Sequence, residues 1–315
     1  MKKNLPILSA ITLLGLVLSG CSSSDKSSES SGVVKVVAAM YPLEFVAKAI
    51  GGDLISVENF TPPGVEPHDL ELTPSQVVTL DDASLLLYIS GFQPAVEEAA
   101  QLSAPANSLD LLSVDGLDLL TATEDGHNDG AEPETGDDVH SDEEMVNDPH
   151  VWLDPKRLVV IAKAVASKLS EIDPDNSASY ETNLAVFVEE LETLDQKFVA
   201  GLASCQRDLI VTSHAAFGYL ADAYGLSQEA LAGLSPESEP TPKRLNEIGK
   251  EAKADGTTTI FFETLASPKV AQTLANDLNI EAAVLDPIEG ISEGQTYFSV
   301  MESNLEALRK ALNCK

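Results

Sequence analysis

Basic residues are scarce in this chain of 315 residues: 19 Lys and Arg stand against 51 Asp and Glu, a formal net charge of −32. None occurs between Lys48 and Lys156. Without a basic patch the protein has nothing to neutralise phosphates, which excludes nucleic acid as the expected partner. An acidic field of this size draws cations instead. Cysteine is nearly missing as well, with only Cys21, Cys205 and Cys314. There is one tryptophan, and there are five histidines. What is present in quantity is apolar: a hydrophobic content of 43% predicts a packed globule, and the length suits two lobes better than one core.

The only leader-like stretch is at the start. Met1-Lys2-Lys3 precedes an apolar run over 5–18 and then Leu18-Ser19-Gly20-Cys21. That is the pattern of a signal peptide, too short for a permanent membrane span. Its end resembles the bacterial lipobox, whose cysteine is lipidated and heads the mature chain; ordinary cleavage beside an incidental cysteine is the alternative. The expectation is a signal peptide over 1–21, a lipid on Cys21, a flexible Ser-rich tether over 22–32, and a folded part held outside the cytoplasm at the bacterial membrane. Cys205 and Cys314 are then an even pair in an oxidising compartment, and a disulfide between them is expected, with two buried free thiols as the alternative.

After the tether, strand-like and helix-like patterns alternate, which predicts an α/β fold with parallel-type sheets. Strands are expected over 33–39, 55–60, 85–90, 108–112, 208–212, 257–262 and 281–285. Helices are expected over 41–50, 93–102, 155–170, 214–224, 243–254, 268–278 and 295–312, with one more starting at Thr73-Pro74. Residues 124–148 hold eleven acids and no base, and read as a disordered loop inside the first lobe. Leu184, Phe187, Val188, Leu191, Leu194 and Phe198 recur at helical spacing, and predict one long helix over 173–204 joining a lobe of 33–172 to a lobe of 205–315.

Ligands of open parallel sheets sit beyond the carboxyl ends of the strands. His68, His150, His214, Glu263 and Asp286 all fall at such ends. Three imidazoles and a carboxylate suit zinc, whereas Mg²⁺ and Ca²⁺ prefer oxygen alone. Asp286 before Pro287 is also readable as a turn residue, and Glu263 as a helix cap. His127 and His140 sit in the acidic loop, either as weak capture ligands or as part of a solvated linker.

Pro67-His68-Asp69, Asp148-Pro149-His150-Val151-Trp152-Leu153-Asp154-Pro155, Ser213-His214-Ala215-Ala216-Phe217-Gly218-Tyr219, Ser235-Pro236-Glu237-Ser238-Glu239 and Leu285-Asp286-Pro287 together resemble the zinc- and manganese-type solute-binding lipoproteins of bacterial ABC importers. The likeness extends over nearly the whole chain after the leader. It implies two (β/α)4-like lobes joined by a long helix, with one metal ion in the interlobe cleft. It implies His68, His150 and His214 as ligands, Asp286 as the fourth, and Glu66 or Glu263 as substitutes. Manganese relatives commonly carry glutamate where this chain has His214, so zinc is the implied cargo ahead of manganese. The implied partners are a membrane permease and its ATPase, with the binding protein a monomer and no enzyme. The alternatives are a manganese- or iron-binding homologue, a zinc-dependent hydrolase with Glu263 as general base, and a surface adhesin.

Overall fold

The computed structural model describes residues 33–103, 108–123 and 145–315. The expected signal peptide with Cys21, the tether, and the loop residues His127 and His140 lie outside the described residues. Residues 33–315 form one compact unit. Among the described residues, no helix is long and apolar enough to cross a membrane.

The first half runs β1 (Val34–Ala38), α1 (Tyr41–Gly51), β2 (Ile55–Asn59), α2 (Pro74–Asp82), β3 (Leu85–Tyr88), α3 (Pro94–Ser103) and β4 (Ser108–Asp110). A short antiparallel pair follows, β5 (Thr121–Thr123) with β6 (Met145–Asn147), then α4 (Pro155–Ile172) and α5 (Ser177–Leu202). The second half runs β7 (Leu209–Thr212), α6 (Gly218–Tyr224), β8 (Ser227–Ala230), α7 (Pro242–Asp255), β9 (Thr259–Phe262), α8 (Lys269–Leu278), β10 (Glu281–Val284) and α9 (Tyr297–Leu312).

The two large sheets are ordered β2-β1-β3-β4 and β10-β9-β7-β8, and every pairing in them is parallel. Numbered by their own succession along the chain, both sheets read 2-1-3-4, so the halves are two copies of one βα plan. β1 shows why a parallel strand sits in the middle: Val36, Val37 and Ala38 are buried, and Val36 pairs with Val57 on one side and Leu85 on the other. In a 2-1-3-4 order the winding reverses between the first and third strands, which opens a crevice at their carboxyl ends. In the second sheet those strands are β7 and β9.

Local chemistry sets the helix starts. Thr73, just before Pro74, forms a reciprocal capping box with Gln76, and Asp154, just before Pro155, accepts from Lys156 N. The 26-residue α5 is about 39 Å long. It buries Tyr180, Phe187, Leu191, Leu194, Phe198 and Leu202 against α1 and α4 of the first half and α9 of the second. Phe45 of α1 meets Phe187, Tyr297 and Phe298 with ring centroids 5.4, 5.1 and 5.5 Å away, which ties the three helices together.

Some boundaries differ from the sequence pattern. The joining helix begins at Ser177, because Pro174–Asn176 form a separate 3-10 turn whose Asp173 carboxylate accepts from Asn176 Nδ2 and Tyr180 Oη. α6 begins at Gly218 rather than at residue 214, since Ala215 N donates to Gly233 O and Thr212 Oγ1 donates to His214 O, committing that backbone outside a helix. The acidic stretch ends before residue 145: β6 pairs with β5, and Asp148 is buried. β8 escapes the pattern because Ser227-Gln228-Glu229 is a polar edge strand.

Cys205 and Cys314 form the expected disulfide. It fastens the end of α9 to the segment before β7, beside backbone bonds from Gln206 N to Leu312 O and from Lys315 N to Ser204 O.

Candidate metal centre

His150 is fixed before anything binds it. Its loop, between β6 and α4, is stiffened by Pro149 and Pro155. Asp148 Oδ1 accepts from both His150 N, at 2.9 Å, and His150 Nδ1, at 2.8 Å. Asp148 is held in turn by Tyr219, whose hydroxyl donates to the Asp148 carbonyl at 2.8 Å and accepts from Leu120 N at 3.1 Å. His214 follows β7 and is treated alike: Glu263, at the end of β9, places Oε1 at 2.8 Å from His214 Nδ1, and Ser213 Oγ donates to the same oxygen. His68 lies in the loop between β2 and α2. Glu66 Oε1 accepts from its backbone N–H at 3.0 Å, and its ring lies 4.1 Å from that of Phe92.

The second ring nitrogens converge. His68 Nε2, His150 Nε2 and His214 Nε2 are buried and make no hydrogen bond. Glu289 Oε1 stands 3.5, 3.5 and 3.3 Å from them. These four residues form one group able to hold a metal ion. A tetrahedron around zinc, with bonds of about 2.0–2.1 Å, has edges of about 3.3 Å, and the three spacings from Glu289 Oε1 to the imidazoles are close to that. A carboxylate behind a ligating imidazole fixes its tautomer and strengthens it as a donor, and Asp148 and Glu263 stand in that position.

The carboxylate that joins the three imidazoles is Glu289, and Asp286 is not part of the cluster. Asp286 is engaged elsewhere: Oδ1 accepts from Ile288 N at 2.8 Å and Oδ2 from Thr264 Oγ1 at 2.8 Å. Its backbone is clamped by Asn304, which accepts from Asp286 N and donates to Asp286 O. Trp152 Nε1 donates to Pro287 O at 2.7 Å, and Ile288 takes a left-handed φ of 60°. Asp286 thus shapes the turn that delivers Glu289, fully buried, three residues later. The sequence signal was a second acid in the same loop; choosing the one nearest the strand end missed it.

The two expected substitutes are also here, in supporting places. Glu263 orients His214, and Glu66 holds the His68 backbone. From outside, a cleft of about 390 Å³ reaches His68, bordered by Ser90 and Pro149 of the first half and Ser235 and Ser238 of the second.

The site is electrostatically strained. Burial lowers the His68 pKa. Burial pushes His150 and His214 the same way, but the carboxylates beside them prevail: Asp148 and Glu289 raise His150, and Glu263 and Glu289 raise His214 well above its ordinary 6.5. Glu289 would rise through burial, yet the three imidazoles hold it well below the usual carboxylate range. Burial, then the nearby Glu289, pushes Glu66 up to about 8.

A two-sheet α/β protein with three imidazoles and a carboxylate meeting between its halves has the design of a metal-binding protein with a closed ligand set. The chain belongs to the family described as zinc-uptake complex component A, periplasmic, whose pattern matches residues 36–311. That is a family of uptake components and not of enzymes. The chain is similar to zinc-binding protein AdcA of Streptococcus pyogenes, 34% identical over 318 residues, with 98% of this chain covered. It spans only 61% of the length of that relative. It is 34% identical to the high-affinity zinc uptake system protein ZnuA of Bacillus subtilis, covering 94% of this chain and 93% of that one. Among solved structures, the Zn(II)-bound ZnuA-like domain of Streptococcus pneumoniae AdcA aligns with a TM-score of 0.71 and 31% identity, over 90% of this chain and all of that domain.

Proposed function

We propose that this chain captures Zn²⁺ outside the cytoplasm and delivers it to the membrane permease of an ABC importer driven by a partner ATPase. It works as a monomer, anchored by lipid on Cys21. His68, His150, His214 and Glu289 hold the ion as cargo. The observation that carries this reading is the placement of Glu289 Oε1 at 3.3–3.5 Å from three imidazole nitrogens that have no other partner. Full protein ligation supports carriage over hydrolysis, which needs an open position for water. The base that a hydrolase would require is also committed, since Glu263 Oε1 serves His214 and Ser213.

Ligation needs neutral rings and an ionised Glu289, so loading expels protons. Release to a permease requires a state in which some of these ligands no longer face the ion. The test is a competitive titration of chelator-stripped protein against zinc and manganese, beside a His214→Ala variant. One zinc per chain, held more tightly than manganese and at least about 100-fold more weakly in the variant, is the expected result. Equal affinity in the variant, or a preference for manganese, would overturn the proposal.

A further inference from the structure

Arg157 lies in the first turn of α4 and is not one of the ligands, yet its side chain reaches both halves. Nε donates to Leu117 O at 2.8 Å and Nη2 to Asp118 O at 3.1 Å. Nη1 donates to Asp154 Oδ2 and Nη2 to Asp222 Oδ2, each at 2.9 Å. Its Cζ stands 4.7 Å from the centre of the Tyr219 ring, within cation–π range. Tyr219 and Asp222 are three residues apart on α6, so one face of that helix offers the guanidinium both a ring and a carboxylate. A planar fork spans four acceptors and a ring face, and a lysine does not. The start of α4 does not require these bonds, because Asp154 already caps it through Lys156 N.

The groups that Arg157 holds lead to His150. Tyr219 Oη donates to Asp148 O and accepts from Leu120 N, while Asp148 N donates to Leu120 O at 2.9 Å. Asp148 Oδ1 then takes both the backbone and the ring N–H of His150. Leu120 belongs to the segment that Arg157 pins at Leu117 and Asp118. Asp118 has a left-handed φ of 48°, a conformation that a residue with a side chain keeps when its surroundings hold it there. One guanidinium thus steadies the Tyr219 ring by its face and the Leu120 backbone from upstream, and these two groups meet at Asp148. Its two carboxylate partners differ in access: the Asp154 side chain is 4% exposed and that of Asp222 49%.

We propose that Arg157 is a positioning residue for the zinc site, holding His150 on the ion through Tyr219 and the 117–120 segment, with the solvent-facing Asp222 as the anchor by which that hold is loosened. This rests on the reading of His150 as a zinc ligand. Losing the Asp222 arm leaves the Arg157 bonds within the first half in place but frees Tyr219 from its partner across the halves. The His150 loop then slackens while the two sheets stay where they are, and the retention of zinc depends on a contact at the surface.

The test mixes the zinc-loaded full chain with excess chelator and follows release by the fluorescence of Trp152, beside the visible spectrum of the Co²⁺-substituted protein. Arg157→Met is expected to release zinc about 10-fold faster, the lower range for losing a partner behind a ligand, and to shift the Co²⁺ bands. Asp222→Ala spares the other Arg157 bonds, guards against a folding defect, and is expected to release zinc about 2–5-fold faster, the range of a part-exposed ion pair. Lys156→Met breaks the neighbouring pair with Asp195 and is expected to match wild type. Combining Arg157→Met with Tyr219→Phe is expected to give less than the product of the two single effects, because both act through Asp148. Lowered thermal stability in Arg157→Met with unchanged release and an unchanged Co²⁺ spectrum overturns the proposal. So does an unchanged rate in Asp222→Ala, equal acceleration in Lys156→Met, or a fully multiplicative double variant. Wild type that holds less than one zinc per chain overturns the reading of the site itself, so the two failures are distinguishable.

Discussion

Gly218 and Asp148 sit so close that a Cβ on the glycine would stand 2.7 Å from Asp148 Oδ2. The space exists only because residue 218 has no side chain. The carboxylate it admits is the one that fixes His150. Gly218→Ala is therefore expected to push Asp148 off the ring and weaken zinc binding by about 10-fold, the lower range for losing a partner behind a ligand. A competition titration measures it. An unchanged affinity would mean that α6 yields instead and that Asp148 keeps its place.

The two acids of the β10–α9 loop give opposite expectations. Glu289→Gln removes the charged corner and is expected to cost more than the about 10–100-fold typical of an outer partner. Asp286→Asn keeps an oxygen for Ile288 N and is expected to stay within about 10-fold of wild type. Should Asp286→Asn prove the more damaging, the assignment of the fourth corner would be reversed.

Zinc affinity is expected to depend on pH well above 6.5. The carboxylates beside His150 and His214 raise the pKa values of both rings. A proton on either ring must leave before zinc binds, so affinity rises with pH through those raised values and levels off above them. Below both, up to two protons are displaced per zinc, a slope of roughly 100-fold per pH unit. The single tryptophan is a built-in probe, since the Trp152 ring lies 5.3 Å from that of His150. A flat profile between pH 6 and 8 would contradict the raised values.

Replacing Cys205 and Cys314 by serine is expected to cost stability but not the site. The bridge spans 109 residues, and the chain-entropy argument gives on the order of 4 kcal/mol. Urea unfolding of the double variant measures this, and its zinc stoichiometry is expected to remain one. Loss of zinc binding at full stability would mean that the bridge shapes the cleft.

Much of this was readable before any coordinates. The alternation of strands and helices gave the parallel sheets because each βα unit carries its own hydrophobic period. His68, His150 and His214 stood out because histidine is rare here and each follows a strand. Glu289 did not stand out because its role depends on Asp286, Asn304 and Trp152 bending one loop, and such tertiary hydrogen bonds leave no mark in local pattern. β8 was hidden for a related reason. A polar edge strand gains its place from β7 beside it, not from its own composition. The supporting carboxylates show the same division: Glu263 was visible as a residue at a strand end, but its service to His214 across the β7–β9 crevice is a fact of topology.

The spine formed by α5 has a mechanical consequence. With Phe45, Phe187, Tyr297 and Phe298 stitched along it, the two halves are riveted there, and they are pinned again beside the site, where Tyr219 bonds Asp148 and Leu120 and Trp152 bonds Pro287. A clamshell so riveted cannot gape to spill its contents. Release of a bound ion is therefore expected to proceed by a ligand loop peeling back rather than by prising the whole molecule apart.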